Sequence, residues 1–225
     1  NASAHADDDF SKFGSMAELA NWNIYSPVWA PVSLEGEWLI LQDKDPFDYA
    51  KAERKIPASK ELRVSFDLKA GQNNKGTLHI EFLDENGIAC SRIELTDDGI
   101  FRLKGGSRFA NMMKYEAGKT YHVEAVLSTA DRNIQVYVDG KRVGLRMFYA
   151  PVATIERIAF RTGEMRTFPT VDTPADQTYD LPNAGGQEPL AEYRIANVKT
   201  SSTDKDASSA FLKYEDFSHY ADYFN

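Results

Sequence analysis

The sequence is poor in cysteine, in excess basic charge and in long apolar runs, and each shortage excludes a class of protein. Cys90 is the single cysteine among 225 residues, so the chain is not a disulfide-stapled domain. Acidic residues outnumber basic ones by 34 to 26, and the net charge of −8 argues against binding nucleic acid or an anionic membrane. Local arginines can still bind an acidic polysaccharide. No apolar run approaches a membrane span, so we predict no transmembrane segment.

The composition supports one folded domain. Hydrophobic residues make up 42% of the chain and aromatic residues 12%, which is enough for a sizeable core. We predict a single domain over residues 1–225, with a long insertion loop at 163–189 and a C-terminal tail at 201–225. The chain begins with Asn1 rather than Met, and its tail is aromatic. We therefore expect a secreted, periplasmic or cell-surface polypeptide with neighbouring domains beyond this chain.

Alternating apolar and polar residues joined by turn signals indicate an antiparallel meander. Asn86-Gly87 is a strong signal for a two-residue hairpin loop, because both residue types tolerate positive φ. Such a loop pairs Glu85 with Ile88. The register that follows brings like or opposite groups together: Ile80 with Ile93, Leu78 with Leu95, Glu81 with Arg92 and His79 with Glu94.

Two further turns extend the meander. A three-residue loop at 97–99, with Gly99 left-handed, keeps like faces together. It sets three pairs opposite each other: Leu95 and Phe101, Ile93 and Leu103, Glu94 and Arg102. A two-residue turn at Asp139-Gly140 sets Val136 opposite Val143 and Ile134 opposite Leu145.

The whole pattern predicts an all-β fold, a two-sheet antiparallel sandwich of about ten to twelve strands. Further strands are expected at 38–42, 62–68, 155–161 and 193–198. Helix is scarce, with short candidates at 15–21 and 48–53.

Two hairpin strings resemble a known group of domains. Lys-Thr-Tyr-His-Val-Glu at 119–124 and Gln-Val-Tyr-Val-Asp-Gly-Lys-Arg-Val at 135–143 are similar to the central hairpin of concanavalin A-like and laminin-G-like jelly-roll domains. The opening at 8–38 and the closing strand at 193–198 resemble the ends of such sandwiches. Domains of this kind are attached to bacterial secreted glycosidases and to sialidase-like propeller proteins. The resemblance implies a jelly roll that serves a polysaccharide-handling protein.

Enzymes share this fold, so catalysis is an alternative. Retaining glucanases of the fold carry Glu-x-Asp-x-x-Glu on one strand, but here Leu83 stands where the middle Asp belongs. Lyases of the fold use Tyr, His and Arg. Arg92, His79, His122 and Tyr137 could share one polar face, yet the lyase strings are absent. The simpler interpretation is that Glu81–Arg92 and His79–Glu94 are ordinary cross-strand pairs on a solvated face.

Acidic loops near the N-terminus suggest a structural calcium ion. Calcium prefers six to eight oxygen ligands, and Asp7 and Asp9 are the candidate ligands. The alternative is that these loops only cap helices. In many related domains the closing strand carries Asp at the position of Ala196, so the resemblance gives little support for a metal site in this chain. No other cofactor is predicted.

The sequence favours a non-catalytic carbohydrate-binding or accessory module of a secreted polysaccharide-processing protein. A glycoside hydrolase or polysaccharide lyase, and a purely structural interdomain module, remain the alternatives. Sugar sites combine aromatic walls with a few polar anchors. Trp22, Tyr25 and Trp29 crowd the N-terminal segment, although core packing is their commoner role. We expect the 163–189 loop and the meander to supply the ligand-binding residues: Arg161, Arg166, Asp172, Tyr179, Arg92 and Glu94.

Overall fold

Two antiparallel β-sheets stack face to face in the computed structural model, which describes residues 4–45, 48–105, 108–163 and 189–204. The described strands are β1 (Asp7–Asp8), β2 (Trp22–Tyr25), β3 (Val32–Glu35), β4 (Trp38–Asp43), β5 (Lys51–Ser59), β6 (Glu61–Ala70), β7 (Leu78–Leu83), β8 (Ala89–Leu95), β9 (Ile100–Gly105), β10 (Arg108–Lys114), β11 (Thr120–Ser128), β12 (Asn133–Val138), β13 (Lys141–Met147), β14 (Ile155–Thr162) and β15 (Ala191–Ser202). Two 3-10 turns lie at Phe10–Lys12 and Met16–Glu18. The predicted all-β jelly-roll sandwich is confirmed.

The sheets have eight and seven strands. The eight-stranded sheet runs β13-β12-β11-β6-β15-β4-β3, with β1 beside β15. The seven-stranded sheet runs β10-β9-β8-β7-β14-β5-β2. No helix in the described part of the chain is long and apolar enough to cross a membrane.

The core lies between the sheets, where alternate residues of each strand point inward. Phe66 of β6 meets Phe160 of β14 edge-on, with ring centroids 5.1 Å apart, and Phe101 of β9 meets Tyr121 of β11 at 5.6 Å. Each of these phenylalanines is at most 1% exposed. Burying such a side chain contributes about 1.5–3 kcal/mol, so these contacts across the sandwich hold the sheets together.

A buried ion pair ties the N-terminal segment to the core. Asp8 accepts hydrogen bonds from Arg54 Nε at 2.9 Å and from Trp22 Nε1 at 2.8 Å. Its strand, β1, pairs with the eight-stranded sheet, whereas Arg54 belongs to the seven-stranded sheet. Asp8 therefore joins the two sheets at one end.

The predicted register around 86–87 is confirmed, but the predicted turn is wrong. Ile80 lies opposite Ile93, and the other three predicted pairs also form. The loop, however, has three residues, 85–87, because the Asp84 carboxylate accepts the N–H groups of Asn86 and Ile88. A bulge between the pairs of Phe82 and Leu83 restores the register. The three-residue loop at 97–99 and its three pairs form as predicted.

The predicted register after Asp139-Gly140 is wrong by one residue. Val136 lies opposite Gly144, not Val143, because a bulge interrupts the pairing next to Val136; Ile134 accordingly lies opposite Arg146, not Leu145. A Cβ atom on Gly144 would lie 2.6 Å from Met112 Sδ and 3.3 Å from Leu103 Cδ2 of the other sheet. The bulge places a residue without a side chain where the two sheets approach.

The short helix predicted at 48–53 is also wrong. Residues 51–53 begin the nine-residue strand β5, which pairs with β14 on one side and β2 on the other. Hydrogen bonding on both edges outweighs the weak local helix preference of Lys, Ala and Glu.

Candidate functional site

A row of ionisable side chains crosses the outer face of the seven-stranded sheet. Arg161 of β14 lies opposite His79 of β7. His79 lies opposite Glu94 of β8, and Glu94 lies opposite Arg102 of β9. Because strands are about 4.8 Å apart, the four residues form one continuous line. We call this surface, formed by His79, Glu81, Arg92, Glu94, Arg102, Lys104 and Arg161, the charged face.

The floor of the charged face is buried. The side chains of His79 and Glu94 are only 3% and 6% exposed, and that of Glu81 is 9% exposed. Arg102 Nη2 donates to Glu94 Oε1 at 2.8 Å, whereas Arg92 Nη2 lies 3.7 Å from Glu81 Oε2. The expectation of a solvated face is therefore wrong. Desolvated charges interact more strongly than exposed ones, so this face is a region of high local field.

His79 is neutral in the folded protein. Burial and then the positive charges of Arg92 and Arg161 lower the pKa of His79 from 6.5 to about 3. Its Nε2 lies 3.0 Å from the carbonyl oxygen of Gly163, an acceptor, so Nε2 carries the proton. Nδ1 is then the unprotonated nitrogen, and it faces Glu94 Oε2 at 3.8 Å.

Tyrosines border the face at the β14 end. The Arg161 guanidinium stacks on the ring of Tyr49 at 3.9 Å, and Tyr49 packs against Tyr25 with centroids 5.1 Å apart. The Tyr25 hydroxyl donates to the Asp48 carboxylate, which raises the pKa of Tyr25, and 45% of Tyr25 is exposed. The pair presents an aromatic surface beside a guanidinium.

A second aromatic border lies at the β9 end. Arg102 stacks on Phe109 at 3.9 Å, and Lys104 Nζ lies 4.5 Å from the ring centre of Tyr149. Arg92 contacts the same tyrosine, at 5.8 Å. Burial raises the pKa of Tyr149 to about 12, against the opposing influence of Arg92. Aromatic rings thus flank the charged face at both ends.

The structure brings together three of the six predicted ligand-binding residues, Arg92, Glu94 and Arg161. The other three, Arg166, Asp172 and Tyr179, lie outside the described residues, as does most of the predicted insertion loop. Among the three aromatic residues of the N-terminal segment, Trp22 is buried, whereas Tyr25 and Trp29 are each 45% exposed.

His122 and Tyr137 do not join Arg92 and His79. They lie on the outer face of the other sheet, where His122 Nδ1 pairs with Asp67 at 2.9 Å. A single polar face containing all four residues is therefore wrong, because the strands belong to different sheets. Asp84, close to Glu81 in the sequence, does not join this face either, because its carboxylate accepts hydrogen bonds from the N–H groups of Asn86 and Ile88 in the turn.

The two candidate calcium ligands do not form a metal site with other acidic residues in the described part of the chain. Asp9 accepts hydrogen bonds from the N–H and hydroxyl of Ser11, which lower the pKa of Asp9. Asp7, in β1, is exposed and lies opposite Lys199 of β15. Within the described ranges, no group of three or more His, Cys, Asp or Glu residues could hold a metal ion.

Sequence reasoning missed Tyr49, Lys104 and Phe109 as members of this site. Lys104 could have been found, because it alternates with Arg102 on a predicted strand and so shares its face. Tyr49 and Phe109 gave no such signal. Tyr49 lies in a segment assigned to a helix, and the strand of Phe109 was not predicted.

Several solved structures of known proteins are similar to this chain. A solved structure named "Sialidase" is 91% identical, with a TM-score of 0.86. That match covers 100% of this chain and 21% of that chain, so this chain spans about a fifth of the sialidase. Two other solved structures share the fold alone. The alginate lyase AlgAT5 from Polysaccharide Lyase family 7 is 12% identical with a TM-score of 0.53, and the match covers 82% of this chain and 95% of that chain. The carbohydrate recognition domain of Emp47p is 10% identical with a TM-score of 0.56, and the match covers 86% of this chain and 93% of that chain.

A family comparison identifies the domain type. No curated protein matches the sequence. The family model described as "Sialidase-like, CBM domain", for carbohydrate-binding module, matches residues 22–177, more than half of the chain. The predicted resemblance to jelly-roll domains of glycan-processing proteins is confirmed. The chain belongs to the sialidase-like carbohydrate-binding-module family.

Proposed function

We propose that this chain is the glycan-binding domain of a larger sialidase. It binds the glycan across the charged face and so keeps the enzyme close to that glycan. The observation that carries the proposal is the row Arg161–His79–Glu94–Arg102 with tyrosine or phenylalanine at both ends. Sugar rings stack their C–H surfaces on aromatic rings and bond their hydroxyls to charged groups. The face offers both.

The extent of the face suits a chain of sugars. From Tyr49, beside β14, to Phe109 on β10, the sheet spans four strand spacings, about 19 Å at 4.8 Å each. A single monosaccharide would contact only one end. Stacking at both ends with polar groups between them fits an extended oligosaccharide.

The titration behaviour of the face supports binding over catalysis. A general acid or base works best with a pKa near the operating pH. The pKa of His79 is about 3, and that of Tyr149 is about 12, so neither exchanges a proton readily near neutrality. This favours the accessory role over the lyase and hydrolase alternatives.

A glycan array with matched variants tests the proposal. Tyr49→Ala removes the ring under Arg161, and Tyr137→Ala removes a tyrosine from the outer face of the other sheet. We expect Tyr49→Ala to weaken glycan binding about tenfold, since stacking rings contribute on the order of 1–1.5 kcal/mol, and Tyr137→Ala to leave it unchanged. Absence of binding to any glycan by the folded wild-type chain would favour the structural-module alternative.

A further inference from the structure

The β7–β9 part of the charged face carries more positive than negative charge. Its outward-facing ionised side chains are three cations and two carboxylates: Arg92, Arg102 and Lys104 against Glu81 and Glu94. The chain as a whole has the opposite balance, with a net charge of −8. A local excess of positive charge on an acidic protein attracts anions to that place alone.

Lys104 differs from Arg92 and Arg102 in having no direct ion pair among the described residues. Within the described ranges no carboxylate oxygen lies within 4.0 Å of its ammonium group, which instead contacts the rings of Tyr149 and Phe109. Burial and the charge of Arg92 lower the pKa of Lys104, and the more distant charges of Glu81 and Glu94 oppose this only in part. The charged form of Lys104 is thus destabilised in the unliganded protein, and a bound anion would relieve this destabilisation.

Arg92 beside it has spare hydrogen-bonding capacity. Its ion pair with Glu81 is long, at 3.7 Å, and its Nε has no hydrogen-bond partner. Arg102 likewise has an unpartnered Nε. The Tyr149 hydroxyl and His79 Nδ1 also lack partners, but beside Lys104 the unpartnered groups of Arg92 and Arg102 are guanidinium N–H donors, and the partner of a donor is an acceptor. A guanidinium fork matches the two oxygens of a carboxylate.

The geometry points to an acidic glycan as the ligand, with the carboxylate of one sugar bound between Lys104 and Arg92 and that sugar packed against Tyr149. This inference rests on the proposed function and narrows its ligand to carboxylate-bearing sugars. The carboxylate would neutralise the excess charge on β8 and β9, while the remaining sugars extend along the row toward Arg161 and Tyr49.

Calorimetric titration of the 225-residue chain with two matched pairs of probes tests this ligand class. One pair is tri-galacturonate and its methyl ester; the other is sialyllactose and lactose. We expect the acidic member of at least one pair to bind about tenfold or more tightly than its neutral counterpart, since a charge-assisted hydrogen bond accounts for such a factor.

Two lysine variants locate the site. Lys104→Met removes the charge but keeps the apolar stem, whereas Lys119→Met does the same to a lysine that also lies over a tyrosine ring, at 5.1 Å, away from this face. Lys104→Met should lose the acidic preference without lowering the melting temperature, Lys104→Arg should retain it, and Lys119→Met should behave as wild type.

The outcomes separate this inference from the function on which it rests. Equal binding of acidic and neutral probes, weakened by Tyr49→Ala, overturns the acidic ligand and leaves the binding function standing. Acidic binding that survives Lys104→Met overturns the site. Absence of binding to these probes and to a glycan array overturns both.

Discussion

The outer faces of the two sheets carry nearly the same sequence pattern and have opposite characters. His79-Ile80-Glu81 on β7 and His122-Val123-Glu124 on β11 both alternate a polar, an apolar and a polar residue. The His79 side chain is 3% exposed, whereas that of His122 is 52% exposed. Alternation therefore identifies which residues share a face, but it does not determine whether that face is in water.

The two faces also differ in the side chains packed against their charges. Tyr49, Tyr149 and Phe109 lie against the arginines and the lysine of the charged face. The pair Arg63–Glu124 on the other sheet is open, with Arg63 59% exposed. Ion pairs on the open face are screened by water, and those on the charged face are screened less.

The largest effect expected from this contrast concerns the two glutamates. Glu94→Ala removes a carboxylate that is only 6% exposed and leaves Arg102, whose side chain is 32% exposed, without its acceptor, so the free energy of unfolding should fall by about 2–3 kcal/mol. Glu124→Ala removes an exposed pair and should cost no more than about 0.5 kcal/mol. Urea denaturation at pH 7 measures both. Equal losses would mean that the two faces are equally solvated.

The next effect concerns the buried histidine, His79, in acid. An unfolded chain protonates His79 below about pH 6.5, but the folded protein does so only near pH 3. Between these values the unfolded state binds more protons, so stability falls as the pH falls. From pH 7 to pH 5 the wild type should lose about 2 kcal/mol more than His79→Gln, which cannot titrate. A wild-type loss no greater than that of His79→Gln would contradict the buried, neutral histidine.

The smallest effect compares one hairpin from each sheet. Asp139 has a φ of +50° and its carboxylate accepts the N–H of His122, so Asp139→Ala should cost about 1 kcal/mol. Asn86 does not have positive φ, and Asn86→Ala should cost only about 0.3 kcal/mol. Thermal denaturation compares the two variants. A larger loss of stability for Asn86→Ala than for Asp139→Ala would support the two-residue turn that the sequence predicts at 86–87.

Much of the seven-stranded sheet was predictable from the sequence. The pairs Ile80–Ile93 and Glu94–Arg102 followed from alternation and turn chemistry, and both form. The failures are at irregularities. The turn at 85–87 depends on where the Asp84 carboxylate points, and the pairing of Val136 with Gly144 depends on how closely Met112 approaches from the other sheet. Neither of these two features can be predicted from the local pattern of apolar and polar residues.

The sequence by itself determined the fold class, most strand pairings and the fact that Arg92 and Glu94 share a face with His79, because side chains alternate with a period of two along a strand. Only the tertiary structure decided that Arg161 joins them, through the pairing of β14 with β7, and that Tyr49 and Tyr149 border the face. These contacts link residues far apart in the chain, and burial, which sets the pKa of His79 and the strength of every charge on the face, depends on such contacts.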